Sequence, residues 1–546
     1  MIVVVRSKII LMNDIQLFSR TALLFFLFVS FPYFPVSAQK IKKYDLVKDF
    51  KARPDDKTDN YAAFLKAAEV ISRNGGGILN IPAGRYYIGS YRIIGGDKKN
   101  TVEDIVFKNC RNLTIIGNNA VIRVNGNFTR NRDTRIKGLP YEYAYTHTVC
   151  PFKLVNCRNT VLKDIVLNGE VDKMRKQEGV VEGISYGVFI ADESPADQSS
   201  DILLQNITAH HFAADGFLVK TNGSGITINK CRSYCNARQG LSIVKGSDIK
   251  VLNSSFDSTG YTGAYGWHAP GAGIDVENEF GPGLLKNVLI RNCNLRGNKG
   301  FQVVTTLSSE NVSIDSCFIS DCSRGYSDAL NGVGMYSLNS SITNSILFAG
   351  IQVDLSDQIY KGPLIQRISN NVIYSGDRFI VSSDFWRPVS ITDNILIMLP
   401  KPKLDAYSPY IQNPNCVFSR NIVVIHADRI RKEPNKITAL VQAVKETTDN
   451  FWLVNGYEKP RNNSDAPVFF VAMNGNGVPG KQFCSPGAKI SRTELFKSNS
   501  LSPGQLAYIF SKKLLTAYEQ NSVSIKLLLE AKELRTYTST IASSYR

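Results

Sequence analysis

Apolar and polar positions alternate in short bursts along most of the chain, and two kinds of burst take turns. The first reads apolar, any residue, polar, then Asn, Cys or Ser, as in Ile228–Cys231, Val251–Ser254, Ile290–Cys293 and Ile314–Cys317. It continues at Ile342–Ser345, Ile368–Asn371, Ile391–Asn394 and Phe418–Asn421, with weaker relatives at Leu162–Ile165 and Leu203–Ile207. The spacing is roughly 23 to 28 residues, apart from a longer gap between Ser254 and Cys293, and lies in the solenoid range. The second burst starts on Gly and then alternates strictly: Gly216–Lys220, Gly240–Val244, Gly273–Glu277, Gly300–Val304 and Gly350–Asp354. Period-two alternation rich in β-branched residues predicts half-buried strands, and Gly or Asn at fixed offsets supplies the corners. Two or three short strands per repeat, with no helical period between them, predict a parallel β-helix in which each coil bonds to the next. About ten coils at roughly 4.8 Å would make a rod about 50 Å long.

The Cys/Ser/Asn position is expected to stack on its equivalent in the next coil and to satisfy backbone groups at the corner. Cys231, Cys293 and Cys317 are then buried free thiols, with a disulfide between coils the less expected outcome. One helix precedes the repeats. Tyr61–Arg73 has helical spacing, Thr58 or Asp59 as candidate N-cap, and Gly75–Gly77 to stop it. An open solenoid end exposes an unpaired strand edge, so this helix is the expected N-terminal cap.

The entry segment carries a resemblance. Tyr44–Phe50, Ala52, Asp55, Lys57–Asp59, the helix, and Gly75–Tyr86 resemble the entry segment of the pectate-lyase-like superfamily. That group includes rhamnogalacturonase-like hydrolases, polysaccharide lyases, uronan epimerases and phage tailspikes. With the repeats the resemblance covers roughly residues 44–425, and it implies an all-β, right-handed parallel β-helix acting on carbohydrate. Lys51, Pro54 and Asp56 stand where the family usually shows Gly. The Gly-His-Gly and paired-Asp pattern of polygalacturonase-type hydrolases is missing, as is the Asp-Pro-His-Glu of mannuronan epimerases, so no catalytic residue transfers.

Charge and export narrow the partner. Lys+Arg 64 against Asp+Glu 47 gives +17, which favours a polyanion. Residues 1–38 read as a signal segment: basic Arg6, Lys8 and Arg20, an uncharged run through Ala22–Phe31, and the small-residue close Val36–Ala38. Removal there leaves about +15, and an exported protein with that charge is expected to meet glycans, not nucleic acid. The expected product is secreted or periplasmic, monomeric, and without a stable membrane span after cleavage. Ten Cys in 546 residues are too few for a disulfide scaffold, and the five His show no zinc spacing. No cofactor is called for, with calcium left open. The expected organisation is 39–104 as cap and entry, 105–425 as β-helix, and 426–546 as a mixed C-terminal cap or accessory region. That last region is basic, about +8 over 429–546, with an amphipathic stretch near Leu506–Leu534.

Aligning the Gly-started strands sends Phe217, Leu241, Ile274, Phe301 and Ile351 inward and Lys220, Asp275, Glu277, Gln302 and Asp354 outward on one sheet. Arg238, two before Gly240, falls on the same face. Three functions follow. In β-elimination at a uronate, Arg238 would neutralise the carboxylate and Lys220 would take the proton. In glycoside hydrolysis, Asp275 and Glu277, about 6.6 Å apart along one strand, would be the acid/base pair. A non-catalytic glycan-binding solenoid or adhesin is the third, and a solvated ion-pair ladder is the plain structural alternative. The long gap holds Gly260–Gly273, where Tyr261, Tyr265 and Trp267 are candidates for stacking on sugar and His268 for proton transfer. Gln302 and Asp354 complete the expected substrate contacts.

Overall fold

The computed structural model describes residues 41–472 except 95–100, 125–128, 134–142, 175–179, 281–282, 307, 321–331, 354–364, 376–379, 382–387, 399–410, 413–414, 427–440, 443–445, 449–450 and 456–467. The signal segment, the amphipathic stretch near Leu506–Leu534 and Asp354 therefore lie outside the described residues.

Alternation and corner chemistry produce a parallel β-helix. The described strands of the winding form one hydrogen-bonded sheet of 35 strands. Its rule is visible in Gln239–Leu252, which turns a corner midway. Its first half pairs in parallel with Asp215–Ser224 and Ile274–Val276, and its second half with Ile226–Asn229 and Leu285–Arg291. The corners use left-handed backbone, borne mostly by Asn and Asp, whose short side chains tolerate it. Asn253 and Asn292 are two of these, and their amides link coils: Asn253 donates to Asn229 at 2.9 Å and Asn292 to Asn253 at 2.7 Å.

Beside that corner runs the expected inner ladder. The Cys231 N–H donates to Ser254 Oγ at 3.0 Å and the Cys317 N–H to Ser345 Oγ at 3.0 Å. Farther along, Ser345, Asn371 and Asn394 each donate a backbone N–H to the Asn side chain of the next coil. The eight described cysteines are free thiols. Inside, columns of Ile, Leu, Val and Phe are fully buried, each such side chain contributing about 1.5–3 kcal/mol.

Helix α1 spans Tyr61–Arg73 as expected and buries Phe64, Ala67, Ala68 and Ile71 over the first coils, with Phe64 edge-on to Phe152. Its N-cap is Asn60, one residue beyond the two candidates, because the Asn60 amide ties down the entry loop while Asp59 Oδ1 accepts the Tyr61 N–H at 3.0 Å. After the helix, Gly76 (φ 130°) passes so close that a Cβ would sit 2.2 Å from the Arg111 carbonyl oxygen. Parallel pairing begins at Lys43–Asp45 and continues to Phe451–Asn455, so coils extend on both sides of 105–425. The last described strand, Val468–Ala472, adds antiparallel. Among the described residues no helix is long and apolar enough to cross a membrane.

The Gly-started strands make the sheet that matters for function. In order these are β1 Phe152–Val155, β2 Tyr186–Ala191, β3 Asp215–Ser224, β4 Gln239–Leu252, β5 Ile274–Val276, β6 Val303–Thr305, β7 Val333–Met335 and β8 Ile351–Gln352. Their registers align Val188, Phe217, Leu241, Ile274, Val303, Val333 and Ile351 as the inward column. Next to it, Phe189, Leu218, Ser242, Asp275, Val304, Gly334 and Gln352 form the outward column.

Candidate functional site

Sheet β3–β6 gathers carboxyls around the guanidinium of Arg238. Asp215 opens β3, in register with Gln239 at the start of β4. Both stand just before the corner glycines, Gly216 and Gly240, where the bend turns their side chains onto the face of Asp275. Asp215 is fully buried. Arg238 grips it with two bonds, Nε to Oδ1 at 2.9 Å and Nη2 to Oδ2 at 2.6 Å, and Ser242 Oγ donates to Oδ2 at 3.0 Å. Three charge-assisted or polar donors thus converge on this one buried carboxylate. Gln239 bridges to the next coil: its Nε2 donates to Asp275 Oδ2 at 2.7 Å and its Oε1 accepts the Ala272 N–H at 2.9 Å.

Asp275 and Glu277 meet on β5 and the residue after it, joined by a side-chain hydrogen bond. Burial, then the negative charges of Glu277, Asp215 and Glu279, push the Asp275 carboxyl well above its usual range, against the pull of Arg238. Glu277 is raised too, by burial and then by Glu279, with Arg238 and the Asp275 hydrogen bond opposing. Burial and mutual repulsion thus make it costly for both neighbouring carboxyls to ionise together.

This pair carries a stability cost. Both groups bind protons more tightly folded than unfolded, so their contribution is most favourable below the ordinary carboxylate range and is lost as pH rises through the raised folded values. Asp275→Asn keeps an oxygen for Gln239 and an amide for Glu277. It is expected to stabilise the protein by about 0.5–2 kcal/mol at neutral pH, with the gain vanishing near pH ~4. Urea unfolding across that pH range checks it; a gain independent of pH would contradict the assignment.

Several candidates stand elsewhere than expected. Gln302 is fully buried: Val303, not Phe301, aligns with Ile274, so the strand is offset by two residues and Gln302 lies level with Gly273 at the corner. There its Oε1 accepts from Asn298 Nδ2 at 2.7 Å, and it does not face substrate. Tyr265 is 1% exposed and packs with Val171, Met174, Ala213 and Ala237 under its own loop, which removes it from sugar stacking. His268 is also buried, its ring edge-on to Tyr265 and its backbone N–H donating to the Ala237 carbonyl, so the ring belongs to the inner packing of the loop and not to an open face. Arg238 lies beside the carboxyls, but its guanidinium is engaged by Asp215 instead of awaiting a uronate. Lys220 is displaced from Glu277 by a bulge in β4. It pairs with Lys245, while the Glu277 N–H donates to the carbonyl of Ile243, two residues before Lys245.

The rims are aromatic and basic. Lys220 Nζ lies 4.5 Å and Lys245 Nζ 5.2 Å from the centre of the Phe280 ring. On the opposite rim, Lys299 Nζ is 5.1 Å from the ring centre of Tyr261 and 5.9 Å from that of Trp267. Phe280, Tyr261 and Trp267 are 42%, 43% and 40% exposed, which leaves their faces open to a ligand. Among the described residues no group of three or more His, Cys, Asp or Glu side chains is placed to hold a metal ion. Sequence alignment by leading glycine missed Asp215 and Gln239 because they precede the glycine. A polar residue immediately before it was the available signal.

Comparison with known proteins places the fold. The family model described as the right-handed β-helix region matches residues 195–280, the segment that carries β3, β4 and β5. The mannuronan C5-epimerase AlgE3 of Azotobacter vinelandii is 26% identical over 252 residues, covering 42% of this chain and 12% of that protein. Alginate lyase 7 of the same organism is 25% identical over 225 residues, covering 37% of this chain and 23% of the lyase. The chain thus spans less than a quarter of the length of either curated relative. Among solved structures, the A-module of the Azotobacter vinelandii epimerase AlgE6 superposes with a TM-score of 0.41 at 18% identity, covering 69% of this chain and 99% of the module. With its parallel coils, its capping helix and this match over residues 195–280, the chain folds as a right-handed parallel β-helix.

Proposed function

We propose that the protein is an enzyme that cleaves an anionic polysaccharide by acid–base chemistry at Asp275 and Glu277. The observation that carries this reading is the pair of raised carboxyls, Asp275 buried and Glu277 half-buried on the outward column of the sheet, flanked by aromatic and ammonium-bearing rims. One carboxyl of the pair gives its proton to the glycosidic oxygen as the carbon–oxygen bond breaks. The other takes a proton from the attacking water, so the pair ends with the same proton count. Aromatic faces suit the apolar faces of sugar rings, and the lysines suit carboxylates along the chain.

Elimination at a uronate is the second reading, favoured by the similarity to a mannuronan epimerase and an alginate lyase and by the Lys220–Lys245 pair. Incubation with pectic, alginate and glycosaminoglycan polymers separates the two. Hydrolysis gives reducing ends without ultraviolet absorbance, elimination gives the absorbance of an unsaturated uronate, and neither signal across the panel leaves a binder. Trp267→Ala is expected to raise KM about three- to tenfold with kcat nearly unchanged, since stacking binds ground and transition states alike. Steady-state kinetics on the cleaved polymer check it.

A further inference from the structure

Gln239 is a neutral, buried side chain at the start of β4, and both ends of its amide are engaged. Its Oε1 accepts the Ala272 N–H at 2.9 Å and its Nε2 donates to Asp275 Oδ2 at 2.7 Å. A backbone N–H can only donate, so the atom that faces Ala272 is the oxygen and the amide is not free to flip. The other end is then an NH2 group, which also only donates, and the carboxyl oxygen it meets must accept. A protonated oxygen is the poorer acceptor, so a proton arriving on Asp275 goes to Oδ1. We propose that Gln239 is a positioning residue: its locked amide makes the two Asp275 oxygens unequal and reserves Oδ1 for proton exchange with the bound sugar chain. This rests on the reading of Asp275 as one half of the acid–base pair.

The same side chain reaches the end of the Gly260–Gly273 loop, which carries Tyr261 and Trp267, but it is not the loop's only tie. The Gly240 N–H donates to the Ala272 carbonyl and the Leu241 N–H to the Gly273 carbonyl, each at 3.0 Å. The loop end therefore stays bonded to β4 when the Gln239 amide is lost, whereas Asp275 loses the donor that fixes Oδ2. The charges acting on Asp275 come from Glu277 on its own strand side, Arg238, Asp215 and Glu279. Its register neighbours, Ser242 on β4 and Val304 on β6, carry none. Against that background a neutral donor to the carboxylate favours the ionised form, in opposition to burial.

Gln239→Met removes both amide bonds at nearly the same volume. On the cleaved polymer its kcat is expected to fall about ten- to a hundredfold with KM within about threefold of wild type, because a misaimed acid slows the chemistry and not the binding. Without substrate, the Asp275 midpoint is followed by carbon-13 NMR of labelled aspartate carboxyls in the full chain and assigned by its loss in Asp275→Asn. In Gln239→Met it is expected to rise by about 1 pH unit. An unchanged kcat, a rise in KM that accounts for the whole loss, or an Asp275 midpoint that stays in place each overturns the proposal. If Gln239→Met does not fold, the wild-type protein decides: the side-chain amide protons of Gln239 are expected to shift in step with the Asp275 titration, and protons indifferent to it overturn the proposal. Because the midpoints are read without substrate, a wild type that cleaves nothing while Gln239→Met still moves Asp275 sinks the cleavage reading and leaves the control of Asp275 by Gln239 standing.

Discussion

Glu277→Gln lowers kcat on the cleaved polymer by about a hundred- to ten-thousand-fold, with the fold and melting behaviour preserved. The amide fills the same space and can still bond to Asp275, but it neither gives nor takes a proton. The remaining carboxyl must then serve as donor and acceptor at once, which a single group cannot do within one turnover. The wild-type acid limb, set by two carboxyls held above their usual range, collapses to one. Glu277 is half-buried at the mouth of the site, so its loss removes little packing. Rates across pH, with circular dichroism as the folding control, read the effect. An elimination driven by Lys220 would be weakened, not abolished, and full activity in Glu277→Gln would remove the carboxyl pair from the chemistry.

Asn394→Ala is the larger blow to stability, expected at about 2–4 kcal/mol. The Asn394 side chain is fully buried and joins three coils. Its Oδ1 accepts the Asn371 N–H at 3.0 Å, and its Nδ2 donates to the Ile368 carbonyl at 2.9 Å and to Asn421 Oδ1 at 3.0 Å. Truncation strips the Asn371 amide and the Ile368 carbonyl, both of the preceding coil, of these partners in a place water cannot easily reach. Ser345→Ala in the same ladder removes a hydroxyl that accepts one N–H, from Cys317, and donates to the Thr343 carbonyl, so a smaller loss is expected there. Urea unfolding midpoints of the two variants give the comparison. Equal midpoints would mean that the ladder is filler and not a bonded spine.

The winding was legible because its cause is local. An Asn, Cys or Ser at a corner and an alternating strand after a glycine are each dictated by backbone chemistry within a few residues, and the period then repeats. Asp275 falls in the outward column, as the alternation predicts, for the same reason. Register across coils is a different matter, since it depends on how many residues each corner and loop consumes. Gly300 looked equivalent to Gly273, but the coil after the long loop takes two further residues before its strand begins, and Gln302 turned from a surface contact into a corner bond. The bulge in β4 moved Lys220 one step in the same way. Tyr265 and His268 were misjudged because a loop of 14 residues, Gly260–Gly273, builds a small core of its own, which no periodicity announces. Asp215 escaped notice for the opposite reason: as a lone acid before a glycine, it gains its meaning from Arg238, which arrives one coil later.

In the proposed function, one face of the winding acts as a single acid–base centre for a bound sugar chain. The measurement that tests it most directly is a crystal structure of the Glu277→Gln protein with a bound anionic oligosaccharide. The predicted result is a glycosidic oxygen within hydrogen-bond reach of Asp275 or the residue 277 amide, with sugar rings against Trp267 or Phe280. An oligosaccharide seated on another sheet of the coil, with the carboxyl face empty, would contradict it.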